Sequence, residues 1–498
     1  MSIELSLERI RRLTSQLPPY SRPTIHVAGT NGKGSVTCIL SSILLASGLT
    51  VGRFNSPHLI SVQDSIIINE QSISYQEYSI ARATVESAEQ EHGTGISSFE
   101  LLTLVALQVF EKFRVDVVVI EVGMGGRLDA TNVVPDECIL LSTLTAVDLD
   151  HQAFLGNTVK LIAQEKAGIA RKNKPFVLGI QKYAVVENVV RATVDQAGGH
   201  FIAAQSAQRR AWDETIDGPF PPTLSLDAES FSPPPPQPIA FTSSAFPNSL
   251  SALLSLNGAH QVDNLGLALT VISTLMTHPS CVSRMPKSFS ECVMKTIQTG
   301  IRNATWRGRL SFHQLTLSSP IPRAMTVLVD GAHNPASSET LASYISTLVT
   351  MLDSNPQARI LRLTYILALS HSPPKTPKET LAPLLTFRTG TRLSIQTKVA
   401  AVGFTPPEGM PWVKSVPPPE IAATVREVAP GVGLWVAPDE SEIRGQLESA
   451  LEWGATEESD IVGIGGEDGV QQLVIVAGSL YLVADFYRLL AKQSDSGR

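Results

Sequence analysis

The heptapeptide Gly29-Thr-Asn-Gly-Lys-Gly-Ser35 constrains this chain more than any other segment. The apolar run Thr24-Ile-His-Val-Ala28 before it suits a buried strand, and Val36 to Ser47 after it reads as a helix. A strand that ends in a glycine-rich loop opening a helix makes a place for an anion. The glycines let the backbone close around phosphate, while the backbone N–H groups and roughly half an elementary charge at the helix N-terminus point at it. Lys33 is placed to neutralise the β and γ phosphates of a nucleotide, and the Ser35 hydroxyl to meet a phosphate oxygen or a metal. The spacing departs from the standard Walker pattern, because Gly34 intervenes between Lys33 and Ser35. Gly29, Thr30, Asn31, Gly32, Lys33, Gly34 and Ser35 are therefore the expected ATP-binding loop, with a structural glycine turn as the plainer alternative.

The surrounding pattern is α/β. Val117, Val118, Val119 and Ile120 follow one another without alternation inside Val115 to Val122, as in a parallel strand covered on both faces. Cys138 to Thr143 is a third strand, and helical stretches at Glu100 to Phe113 and Val159 to Arg171 alternate with these strands, which predicts a mainly parallel sheet. A helix precedes them, with Leu7, Ile10, Leu13 and Leu17 near one face and Pro18-Pro19 ending it. Residues 205–251 turn rich in Ser and Pro, culminating in Pro233-Pro-Pro-Pro-Gln-Pro238, and read as an insertion or loop that is partly disordered. Helical patterning resumes at Gln261 to Met276 and Met285 to Thr299. Strands at Met325 to Val329, Tyr365 to Leu369, Leu434 to Ala437 and Leu473 to Ala477 then build a second α/β region. The expected domains are a P-loop-type, mainly parallel sheet domain over 1–302 and a smaller Rossmann-like domain over 303–498. Thr456 to Gly469, acidic and glycine-rich, reads as an exposed loop.

Length agrees with two domains, since 498 residues exceed the roughly 250 to 300 at which single cores stop growing. No apolar run approaches the roughly 18 residues of a membrane helix. The net charge of −7 lacks the basic footprint of a nucleic-acid binder. Cys38, Cys138, Cys281 and Cys292 are scattered without a CxxC pair, and the first residues have neither a signal-peptide core nor a transit-peptide character, so a reducing, cytoplasmic compartment is expected. Small-molecule substrates are the expected partners, with no nucleic acid and no membrane, for a chain acting as a monomer.

Beyond the loop, further segments stand in a fixed order: Asn55-Ser-Pro-His-Leu59, Glu121-Val-Gly-Met-Gly-Gly-Arg-Leu-Asp-Ala-Thr-Asn132, Asp150-His151 with Leu155-Gly156, Glu165-Lys-Ala-Gly-Ile169, and Leu256-Asn-Gly-Ala-His-Gln261 with Asn264. Trp306-Arg-Gly-Arg309, Asp330-Gly-Ala-His-Asn-Pro335 and Gly478-Ser-Leu-Tyr-Leu482 follow. In this series, spanning 24 to about 490 apart from insertions, the chain resembles the dihydrofolate synthase and folylpolyglutamate synthase family, a branch of the Mur-ligase-like enzymes.

The resemblance implies an ATP-dependent ligase that activates a carboxylate as an acyl phosphate for attack by an amine, a task of positioning and charge neutralisation. It implies Ser56, Glu121 and His151 as ligands of Mg²⁺. Lys166, which composition alone would make a solvated surface lysine, becomes a residue open to carbamylation and hence a further metal ligand. Asn264, Arg309 and Asp330 are implied as ATP-binding residues, with His333 in the same site, although an isolated His151 or Arg309 would more often be structural. Arg307 stands where the family usually has proline. The pterin contacts implied are Ser98, Phe99, Glu100, Leu128, Asp129 and Ala130. Phe99 suits stacking on a flat heterocycle, although a core role is the alternative for it.

Asn31, where eukaryotic polyglutamate synthases commonly carry lysine, and the arginine-free segment Ser61-Val-Gln-Asp-Ser-Ile-Ile-Ile-Asn69 favour a dihydrofolate synthase joining L-glutamate to 7,8-dihydropteroate. A folylpolyglutamate synthase or an enzyme with both activities is the alternative within the family. A regulatory protein that binds nucleotide without ligation is the alternative outside it, and Glu121, His151, Lys166 and Arg309 together argue against that.

Overall fold

In the computed structural model, residues 6–228, 230–290, 294–317, 323–371, 376–386, 390–408, 413–438, 442–455 and 469–496 are described. Two compact units result. The first comprises 1–219 and 236–306, the second 220–235 and 307–498. The division after Trp306 lies just beyond the expected boundary at 302.

The first unit is built on a sheet of eight strands among the described residues. They are β1 (Thr24–Ala28), β2 (Val51–Phe54), β3 (Ile66–Ile68), β4 (Gln71–Ser72), β5 (Val117–Glu121), β6 (Ile139–Leu144), β7 (Pro175–Leu178) and β8 (His200–Ala203). Their order is β4-β3-β2-β5-β1-β6-β7-β8, and all pairings from β2 to β8 are parallel. The β-branched run in β5 needs no polar face because both faces are covered. Val117 and Val119 pack into the cluster of Ile39, Leu265 and Val271, while Val118 and Ile120 pack into the cluster of Phe54, Leu104 and Phe110. Each such side chain contributes roughly 1.5 to 3 kcal/mol by burial. β1 lies between β5 and β6, so its C-terminal end opens on a crevice flanked by theirs, the place where open α/β sheets receive ligands.

The Ser- and Pro-rich stretch departs from the loop expected over 205–251. β9 (Gln208–Arg209), β10 (Gln237–Ser243) and β11 (Phe246–Leu254) form an antiparallel sheet ordered β11-β10-β9. Ile239, Phe241, Phe246 and Leu250 enter the core of the first unit, and Pro238 sits near the start of its strand, where proline is tolerated. Between β9 and β10 the chain leaves for the second unit. There Leu224 and Leu226 are buried, the Leu226 N–H donates to Gln471 Oε1 at 2.8 Å, and Thr326 Oγ1 donates to the Leu226 carbonyl at 2.7 Å.

The second unit carries six strands among the described residues: β12 (Ser311–Leu317), β13 (Arg323–Val329), β14 (Ile360–Leu367), β15 (Ser394–Ala401), β16 (Gly433–Val436) and β17 (Val470–Ala477). They are ordered β12-β13-β17-β14-β15-β16 and are parallel except for β12 against β13. Leu361, Leu363, Tyr365 and Leu367 alternate onto one buried face of β14. The acidic stretch expected as a loop lies outside the described residues up to Gly469, as does Cys292.

Candidate active site

The glycine-rich loop Gly29–Ser35, expected to bind phosphate, is held from three sides. The Thr30 and Asn31 N–H groups donate to the Ala146 carbonyl at 2.9 and 3.2 Å, and Thr145 Oγ1 donates to the Asn31 carbonyl at 2.7 Å. Both partners follow β6, the strand beside β1. Gly32 caps the helix Lys33–Ala46 with φ +92°, a left-handed conformation that side chains resist, and a Cβ there would stand 2.4 Å from Asn264 Oδ1. The helix starts at Lys33, so the N–H groups of Lys33, Gly34 and Ser35 have no acceptor within it and are oriented outward with the positive end of its dipole. On the far side, Asn264 Nδ2 donates to Gln261 Oε1 at 2.9 Å, and Gln261 Nε2 donates to Ser35 Oγ at 3.1 Å. The expected Asn264 thus meets the loop through Gln261.

Lys33 Nζ donates to the Thr30 carbonyl at 3.2 Å and lies 3.8 Å from Glu121 Oε1. Glu121 closes β5 in register with Val27, which brings its carboxylate to the crevice, and its Oε2 accepts from Asn55 Nδ2 at 2.7 Å. Lys166 is buried, not solvated: its Nζ donates to the Gly29 carbonyl at 2.8 Å. Burial, reinforced by the Lys33 charge and opposed by Asp150 and Asp129, brings its ammonium down to about 7. His151 adopts φ +50° before the short helix Gln152–Leu155, with a half-exposed side chain whose Nε2 lies 3.8 Å from Asp150 Oδ2. Ser56 follows β2 and precedes a cis proline peptide. Among the described residues no three His, Cys, Asp or Glu side chains converge as a ready-made metal site. One carboxylate beside a phosphate loop nevertheless fits Mg²⁺, which takes one or two carboxylates and completes its shell with phosphate oxygens and water.

The expected pterin residues divide by exposure. Ser98 is exposed, Phe99 and Leu128 are partly exposed, and the Phe99 ring rests on the backbone of Gly123, 6.2 Å from the Phe54 ring. Glu100, Asp129 and Ala130 are buried. Glu100 completes a capping box with Ser97 and lies 3.4 Å from Arg9 Nη2, while Asp129 accepts from the Met124 and Thr131 N–H groups. The two carboxylates thus sit inside the fold, while Ser98, Phe99 and Leu128 reach toward its surface.

In the second unit Arg309, Asp330 and His333 gather. Asp330 accepts from the Leu310 and Ala332 N–H groups, each at 2.9 Å, and burial raises its carboxyl against the lowering by Arg309. The Arg309 guanidinium packs over Gly331, and His333 Nδ1 lies 2.8 Å from the Gly331 carbonyl. Thr145, Gln261, Asn55 and Asp150 were not among the expected site residues. Gln261, Asn55 and Asp150 lie inside the ordered motifs. Thr145 was marked only by its place just past the end of a strand beside β1.

A glycine-rich loop between a central parallel strand and a helix, followed by a smaller α/β unit, is the architecture of the Mur-ligase-like enzymes. Residues 313–489 match the family model described as dihydrofolate synthetase, C-terminal domain. The chain is 30% identical over 492 residues to the dihydrofolate synthetase of Saccharomyces cerevisiae, covering 98% of each. It is 31% identical to the probable dihydrofolate synthetase of Schizosaccharomyces pombe, over 98% of this chain and 99% of that one. Among solved structures it is similar to the folylpolyglutamate synthase of Mycobacterium tuberculosis complexed with ADP and AMPPCP, with a TM-score of 0.70, 25% identity, and 97% and 95% of the two chains covered. The chain belongs to the dihydrofolate synthase and folylpolyglutamate synthase family.

Proposed function

We propose that the protein is a dihydrofolate synthase, an ATP-dependent carboxylate–amine ligase that joins L-glutamate to 7,8-dihydropteroate and yields dihydrofolate, ADP and phosphate. The observation that carries the ligase reading is the Lys33 ammonium at the open helix N-terminus, 3.8 Å from the Glu121 carboxylate. The dihydropteroate carboxylate attacks the γ-phosphorus and ADP leaves; the glutamate amine then attacks the acyl phosphate, expelling phosphate and losing a proton. Lys33 and the outward N–H groups of the loop stabilise the charge on the transferring group. Phe99 and Leu128 offer a flat apolar surface to the pterin. Mg²⁺, bound through Glu121 with Ser56 and His151, would neutralise phosphate charge. ATP contacts from Asn264, Arg309, Asp330 and His333 are part of the same reading.

The choice of acceptor is supported by the end-to-end likeness to two proteins named dihydrofolate synthetases, by Asn31, and by the arginine-free Ser61 to Asn69 segment. The partners proposed are small molecules only, for a monomer acting in the cytoplasm. No described helix is long and apolar enough to cross a membrane, and the net charge is −7. Given ATP, Mg²⁺ and glutamate, purified protein is expected to convert dihydropteroate efficiently and to extend tetrahydrofolate poorly, with the amide product followed by mass. Chain extension of tetrahydrofolate with no product from dihydropteroate would reverse the assignment of substrate.

Glu121→Gln keeps the hydrogen-bonding shape of the side chain but removes the charge that a hard cation prefers. Half-maximal activity in this variant is expected to need at least about tenfold more Mg²⁺. An unchanged Mg²⁺ titration would take Glu121 out of the metal site.

A further inference from the structure

The glycine that breaks the Walker spacing lies against an aromatic ring. A Cβ on Gly34 would stand 2.6 Å from Cζ2 and 3.0 Å from Nε1 of Trp306, so the indole rests directly on the loop backbone between Lys33 and Ser35. Over the same indole, 4.9 Å from its centroid, sits the guanidinium carbon of Arg53. Arg53 lies on β2 with its side chain only 5% exposed, and its Nη2 donates to Glu70 Oε2 at 2.7 Å. The other oxygen of Glu70 accepts from Ser41 Oγ at 2.6 Å, and Cys38 Sγ donates to the Thr305 carbonyl at 3.1 Å. Ser41 and Cys38 both belong to the helix that the phosphate loop opens. A guanidinium inside an apolar core is costly unless paired and stacked, and apolar side chains could fill that volume at less expense. Keeping the charge there fixes the position of the ring.

We infer that Arg53 and Trp306 are positioning residues of the phosphate loop. The Glu70-held guanidinium fixes the indole, and the indole fixes Gly34 together with the neighbouring N–H groups. This rests on the reading of the loop as the ATP site. A loop already held in its binding geometry loses little conformational freedom when phosphate arrives, and that saving appears as nucleotide affinity. It also explains why Gly34 carries no side chain: any Cβ would displace the ring that aligns the loop.

The test pairs Arg53→Met with Glu70→Gln, which removes both charges and leaves neither buried alone, and separately uses Trp306→Leu. In each, the Kd of AMPPCP by calorimetry and the KM for ATP are expected to rise about tenfold. The KM for dihydropteroate and the thermal midpoint should stay near those of the unaltered protein. Trp306→Phe, which retains a ring, should recover part of the affinity. Should the double variant fail to fold, the Trp306 pair decides the question alone. Folded variants with unchanged nucleotide affinity would overturn the inference, as would an equal loss for every substrate together with a lowered melting point. If the unaltered protein binds no nucleotide, the ATP reading itself fails and the positioning role falls with it; if it binds and the variants bind equally, only the positioning role falls.

Discussion

Lys33→Ala is expected to lower ATP turnover by at least about 10³-fold while the protein remains folded. The side chain is 17% exposed and makes one hydrogen bond to the Thr30 carbonyl and one ion pair to Glu121. Glu121 is buried, so losing its cation carries a cost, but the ion pair is long at 3.8 Å and the carboxylate keeps its hydrogen bond from Asn55 Nδ2, which leaves the fold standing. In the proposed mechanism the contribution of Lys33 to phosphoryl transfer is large, because it would be a fixed cation beside the loop where charge is redistributed. The measurement is ADP release alongside a thermal melt, and near-normal turnover by a folded variant would remove Lys33 from the phosphate site. The substitution carries a second consequence. The Lys33 charge helps to depress the Lys166 ammonium, so Lys166 in the variant should hold its proton to higher pH.

Lys166→Ala is expected to lower activity by at least about 10²-fold, with partial recovery when short carboxylates are added. A buried amine brought down to about 7 is largely neutral at slightly alkaline pH, and the neutral amine adds CO₂ to give a carbamate and a proton. Protein equilibrated with ¹³C-bicarbonate should show a carbamate carbon that the Lys166→Ala variant lacks; absence of that signal from active protein would refute the modification. The same burial sets a dependence of stability on pH. The unfolded lysine keeps its proton up to about 10.5 and the folded one only to about 7, so between these values the unfolded chain binds more protons. The penalty of burying the charged amine is thus fully present below pH 7 and fades as pH rises toward 10.5. In metal-free protein without CO₂, a Lys166→Met variant should gain stability relative to the parent at pH 6, and that advantage should shrink by pH 9 and vanish only near pH 10.5. A constant difference across this range would contradict the burial of a titrating amine.

Much of the fold was legible because its signals are local. The uninterrupted β-branched run of β5 could only be a strand covered on both sides, and the glycine-rich loop could only follow a strand and open a helix. The proline-rich stretch misled because composition registers proline without its position. The four consecutive prolines 233–236 lie outside any strand, but Gln237 and Pro238 already open β10, and Ile239, Phe241, Phe246 and Leu250 beyond them face the core of the first unit. Leu224 and Leu226 before it serve the other unit, a destination no local pattern encodes.

Sequence by itself determined the strand, glycine loop and helix at Thr24 to Ala46, the two α/β regions and the ordered motifs, because hydrophobic period, glycine placement and residue order are properties of neighbours in the chain. Tertiary structure alone decided what several of those residues are. Lys166 meets the Gly29 carbonyl across 137 positions and Gln261 meets Ser35 across 226. Glu100 and Asp129 are buried, the one in a capping box and the other accepting backbone N–H groups. Arg53, unremarkable on its strand, stacks on an indole that lies against the phosphate loop. Desolvation, charge pairing and close backbone approach depend on what the folded chain brings near a group, and a one-dimensional pattern does not contain that.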